Sequence, residues 1–146
     1  MPDIYINIAS QTGLNQCVID ADGGTVWMYL HDLTERCVIG DAPLCSIVPL
    51  IFLADFKKQY QRGKTPPLVK EYSTTRALIV DISIDRIDVR WSKDGRSVVA
   101  FVDEEPFSMI IVGQKQGFSK ATSMKGPWGN PWCDETFNRI FDEQGH

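Results

Sequence analysis

The side chains best suited to covalent chemistry are few and scattered along the chain. Of two histidines, His31 is internal and His146 is C-terminal, and the cysteines stand at Cys17, Cys37, Cys45 and Cys133. A thiol or hydroxyl nucleophile needs a base within reach, most often an imidazole. His31, beside Asp32 and late in a strand-like run, could meet Cys17, Cys37 or Cys45 in space and so make a hydrolase centre. No nucleophile-elbow or protease signature surrounds any of these residues. The favoured reading of His31 is therefore a satisfied structural histidine. No cysteine pair has C-x-x-C spacing, so no zinc site is expected, and the thiols read as reduced small hydrophobes. Asp22-Gly23-Gly24 precedes a strand and does not open a helix, so it is no phosphate-binding loop. Neither a metal nor another cofactor is expected. Carboxylates are too plentiful for any pair to stand out as acid and base.

The same carboxylates suggest recognition. Net charge is −4, which argues against a nucleic-acid partner. Its distribution is uneven. Residues 1–56 carry seven acids against Arg36 alone, residues 57–100 ten bases against five acids, and residues 103–146 seven acids against four bases. Three groups could form an acidic recognition face. Asp81 and Asp85 alternate outward opposite Ile82 and Ile84, Asp103-Glu104-Glu105 sits at a hairpin tip, and Asp134 with Glu135 opens a final helix. Each group also has a plain reading as solvation or helix-dipole complementarity. Trp128 and Trp132 lie in a Pro/Gly-rich loop, as anchors for a partner or as lids over the core.

The elements that must position these residues follow from periodicity. Residues 4–8 alternate as a strand, Gln16 to Asp20 as a second, and Val26 to His31 as a third rich in β-formers and covered on both sides. The period changes after Ala42. Leu44, Ile47, Ile51 and Phe52 are spaced for a helix over about 44–62, either kinked at Pro49 or starting after it. Leu78, Val80, Ile82 and Ile84 alternate again, then Ile87, Val89 and Trp91, with a parity switch at Asp85-Arg86 that requires a bulge or tight turn. Asp94-Gly95 between two strand-like runs is a hairpin signal. The surrounding Trp91-Ser92-x-Asp94-Gly95 looks like a propeller-blade motif but occurs once, so the hairpin explanation holds. Val98 to Val102, Phe107 to Val112 and a short strand at Phe118 complete a meander. Asp134 can cap a last helix over about 134–143, with Phe137, Ile140 and Phe141 as its apolar stripe. The expectation is a single α+β domain over residues 1–146, an antiparallel meander packed against a central and a C-terminal helix. The N-terminus lacks a basic signal region, and Pro43 to Ala54 is too short to span a bilayer. A soluble, cytoplasmic protein without membrane contact is expected.

Four stretches together resemble a family of small bacterial domains of unknown function. They are Gly13 to Asp20, Val26 to Asp32, Arg90-Trp91-Ser92-Lys93-Asp94-Gly95 through Ala100-Phe101-Val102-Asp103, and Pro106-Phe107 to Gly117-Phe118. Trp132-Cys133-Asp134-Glu135 fits the same pattern, whereas Leu44 to Tyr72 is longer and more basic. In size, acidity and lack of catalytic motifs the chain looks like an immunity protein, which neutralises a toxin delivered by a neighbouring cell. That resemblance implies a non-enzymatic inhibitor whose partner is the C-terminal domain of a cognate toxin, a nuclease being the kind whose basic cleft suits an acidic inhibitor. The family supplies no functional residues, so the interface expected from charge placement is Asp81, Asp85, Asp103, Glu104, Glu105, Trp128, Trp132, Asp134 and Glu135. A second reading is a small-molecule-binding β-domain with Trp27, Tyr29, Trp91 and Phe107 around a pocket.

Overall fold

Alternating residues in the first two strands and β-forming or continuous apolar runs in the next two yield four antiparallel strands in the first third of the chain. In the computed structural model, which describes residues 3–60 and 65–141, these are β1 (Tyr5–Ala9), β2 (Asn15–Asp22), β3 (Thr25–Asp32) and β4 (Cys37–Ser46), paired in that order. Gly23 and Gly24, at φ +63° and +92°, turn β2 into β3, a conformation that glycine adopts without a Cβ penalty. Cys17, Ile19, Met28, Leu30, Ala42 and Leu44 face inward and are fully buried. The opposite face carries Val18, Asp20, Trp27, Tyr29 and Asp41, which the register sets side by side.

The second sheet has the order β5 (Ile87–Trp91), β6 (Val98–Val102), β7 (Glu105–Ile110), β8 (Phe118–Ser119) and β9 (Asn130–Pro131), antiparallel except for β8 with β9. The β5–β6 hairpin turns at Asp94-Gly95 as expected. Gly95 has φ +72°, Ser92 donates its hydroxyl to Asp94 at 2.5 Å, and the Gln11 amide clamps the Ser92 and Lys93 carbonyls at 2.9 Å each. Every residue of β6 is buried because both faces of this sheet are covered. Val98, Ala100 and Val102 join the core shared with the first sheet. Val99, Phe101, Met109 and Ile111 form a second cluster under α2 (Asp134–Ile140), whose Phe137 and Ile140 sit on it with Trp132 and Phe141. The layers are therefore sheet, sheet and helix.

The edge of β4 is not left open. Gly117 donates its N–H to the Asp41 carbonyl at 2.7 Å, Asp41 donates to the Lys115 carbonyl, and Ser46 exchanges bonds with Ala77 and Ile79. Ser108 sends its hydroxyl from β7 to the Pro43 carbonyl at 2.9 Å. The sheets meet closely at glycine. A Cβ on Gly117 would lie 2.4 Å from the Met109 carbonyl oxygen and 2.8 Å from the Ala42 Cβ, and one on Gly40 would lie 2.5 Å from Ile110.

The α+β class, the antiparallel strands and two short helices agree with the sequence reading, with differences in extent. The central helix α1 is Leu53–Gln59 and starts beyond Pro49, whereas Leu44 to Ser46 finish β4. Periodicity misread that stretch because a strand buried on both faces and a helix both present unbroken apolar runs. Residues 61–62 and 142–143, at the ends of the two expected helices, lie outside the described residues. Leu78 to Ile84 is not a strand. Leu78, Val80 and Ile84 are exposed and Ile82 alone is buried. The alternation has no second face to fill, because after one bridge to Ser46 the chain departs into a 3₁₀ turn at Ile84–Arg86. That turn is the parity switch. Asp134 is the first residue of α2; Cys133 holds the capping position without a side-chain bond.

Candidate functional site

The 3₁₀ turn and the β6–β7 hairpin bring Asp81, Asp85, Asp103 and Glu104 to one end of the second sheet. Arg86 holds two of them, Asp81 and Asp103. Its Nη1 lies 2.9 Å from Asp81 Oδ1, and its Nε and Nη2 engage the Asp103 carboxylate at 2.8 and 2.7 Å. Bidentate guanidinium–carboxylate pairing of this kind fixes orientation as well as charge. It holds the Asp103 carboxyl below the usual carboxylate range. Asp103 and Glu104 both adopt left-handed backbone, φ +52° and +67°, the geometry a two-residue hairpin imposes. Beside them Asp85, Asp88, Arg90 and Phe101 complete a groove of about 600 Å³. Arg90 stacks its guanidinium 4.4 Å from the Phe101 ring centre and reaches Asp88 at 3.5 Å. The groove lining holds four carboxylates against two guanidinium groups, with Asp81 a fifth acid on Arg86.

Glu105 does not join that group. Strand alternation turns it to Arg76, bound at 2.8 and 3.1 Å, and to Lys120 at 2.8 Å. These two cations depress its carboxyl to about 2. Lys120 also stands over the Trp132 ring, 5.2 Å from its centre, and Trp132 donates its indole N–H to Asp134 at 2.7 Å. The structure thus ties Glu105, Trp132 and Asp134 into one neighbourhood, where each polar group is already engaged within the chain. Glu135 is exposed in the first turn of α2, a position where the helix dipole favours an acid.

Trp128 is buried under the loop it belongs to. Its indole N–H donates to the Pro67 carbonyl at 2.9 Å, and its ring meets Phe56 and Tyr72 with centroids 5.3 and 5.2 Å apart. Of the two readings offered by the sequence, the geometry is that of a lid over the core.

Acids that the sequence did not single out lie on the outer face of the first sheet. Tyr29 sits among Asp41, Asp20 and Asp22, and the described residues include no ion pair to these three carboxylates. Burial first, then these neighbouring negative charges, push the Tyr29 phenol upward, and burial raises the Asp41 carboxyl. Only the cross-strand register could have revealed this grouping, since Asp20 and Asp41 are far apart in sequence.

The His31–cysteine reading is not supported by placement. Cys17 pairs across from Leu30 and faces the core, while His31 pairs with Gln16 and Val38 on the other face. Burial pushes the Cys17 and Cys45 thiols up to about 12, which suppresses the nucleophilic thiolate. Cys37 pairs with Asp32, one position beyond His31, and so points away from it. No group of three or more metal-ligating side chains is assembled among the described residues. No helix among them is long and apolar enough to cross a membrane. Trp27 and Phe107 belong to the shared core, with Tyr29 and Trp91 packed against it, and none of the four lines the groove around Arg86. Comparison with family models, characterised proteins and solved structures found no match to this chain.

Proposed function

We propose that this chain is an immunity protein, a cytoplasmic, non-catalytic inhibitor that binds the C-terminal domain of a cognate bacterial toxin and occludes it. The observation that supports this reading is the groove around Arg86, where Asp81, Asp85, Asp88, Asp103 and Glu104 outnumber Arg86 and Arg90. Clamping by Arg86 holds two of these carboxylates in place before a partner arrives, which lowers the ordering penalty of binding. A nuclease toxin fits this chemistry, because its substrate cleft must carry cations to neutralise phosphates. An acidic groove competes for those cations and accelerates encounter. The outer-face carboxylates Asp20, Asp22 and Asp41 add to the same field.

The test is co-expression with the product of the neighbouring gene, which the proposal requires to be a toxin. The chain should restore growth and co-purify with that product. Reversing two exposed charges of the groove, Asp85→Lys with Glu104→Lys, should slow association roughly tenfold or more at low ionic strength. Failure to protect against the neighbouring gene product, or an association rate indifferent to the reversal, would overturn the proposal.

A further inference from the structure

One face of α1 contributes Leu53, Phe56 and Lys57 to a second concavity, at the i, i+3 and i+4 positions that share a helix face, and Tyr60, just past the end of the helix, joins them. Tyr72, Trp128, Pro66 and Pro127 close its other sides, around a volume of about 370 Å³. The walls are flat and fixed. Phe56 stacks on Tyr60 with centroids 4.8 Å apart and meets Trp128 edge-on. Trp128 is pinned through its indole N–H to Pro67. The Tyr72 ring lies so close to Gly126 that a Cβ there would stand 2.3 Å from it. Lys57 is the charged group of the lining, and no carboxylate among the described residues pairs with it. The nearby Glu71 carboxylate is occupied by the Leu53 N–H at 2.9 Å.

We propose that this aromatic pocket binds a small planar aromatic anion, its ring held against Phe56, Tyr60, Tyr72 and Trp128 and its negative group at Lys57. The volume lies at the small end of ligand pockets and suits one ring system. Aromatic faces offer stacking to a planar guest, and the ammonium selects a guest that carries negative charge. Two sources share this chemistry, an aromatic carboxylate and a nucleoside monophosphate. The site has no residue in common with the acidic groove, so it stands or falls independently of the toxin-binding proposal.

The full chain can be titrated by calorimetry and by amide and indole NMR with indole-3-acetate, its uncharged amide and adenosine monophosphate. Saturable binding of one or both anions is expected, with shifts at the Trp128 indole and at Lys57; which anion binds identifies the source. Lys57→Met should weaken the anion by about threefold, as for an exposed ion pair, and leave the amide unchanged. Tyr60→Leu, which removes the ring stacked on Phe56, should weaken both, with an unchanged far-ultraviolet dichroism spectrum showing that the fold is kept. Absence of saturation by either anion at millimolar concentration would overturn the proposal. So would shifts confined to other surfaces, or an affinity for the anion that Lys57→Met does not change.

Discussion

Glu105 illustrates how a single side chain can read as recognition in sequence and serve cohesion in structure. Its carboxyl, ordinarily at 4.5, is depressed to about 2 by Arg76 and Lys120. A depressed folded-state value contributes stability that is complete above the unfolded value and is lost as pH falls towards the folded one. The acid limb of stability between about pH 4.5 and 2 should therefore flatten in Glu105→Gln, as read by urea midpoints across that window. Parallel profiles for the two proteins would show that the triad does not couple to folding. The cysteines give a second expectation at this scale. Cys37 is exposed, Cys133 is partly exposed with a thiol lowered chiefly by the Thr136 hydroxyl, and Cys17 and Cys45 are buried. A thiol reagent should modify Cys37 and Cys133 in the native protein and reach the other two only on unfolding. Rapid native modification of all four would contradict the packing of β2 and β4.

At the scale of elements, the seam between β4 and β8 depends on a close backbone approach. Gly117→Ala would press a methyl into the Met109 carbonyl and the Ala42 Cβ, and neither can retreat without moving a strand. The expected loss is about 1–3 kcal/mol, the range for overpacked sites, measured by chemical denaturation. Much at this scale was legible in sequence. Asp94-Gly95 announced its hairpin because that turn demands positive φ at Gly95, and β6 was readable from Val98, Val99, Phe101 and Val102, four β-formers in a run of five. The run Leu78 to Ile84 misled for a physical reason: alternation reports a strand only when a neighbouring strand accepts its hydrogen bonds and a core accepts one face. Here Ser46 offers a single bridge and Ile82 alone is buried.

For the whole molecule, the two sheets share one core through β4, β6 and β7, and the edge of β4 is bonded to segments that flank the second sheet. Unfolding should then be cooperative, with far-ultraviolet dichroism and tryptophan fluorescence giving the same urea midpoint. Two separated transitions would mean that the sheets fold independently. The charge pattern also changes meaning at this scale. Acidic and basic segments seen in sequence partly cancel where Arg86, Arg76 and Lys120 meet their carboxylates. Among the described residues, what survives is the groove at the end of the second sheet and the outer face around Tyr29.

The sequence by itself determined the α+β class, most strand positions and the main hairpin, because these follow from periodicity and turn chemistry. Tertiary structure alone decided which charges are spent on one another, which face His31 and the cysteines occupy, and that Phe56, Tyr60, Tyr72 and Trp128 meet around one pocket. Those outcomes depend on register and on contacts between segments remote in the chain, where a shift of one residue exchanges the two faces of a strand.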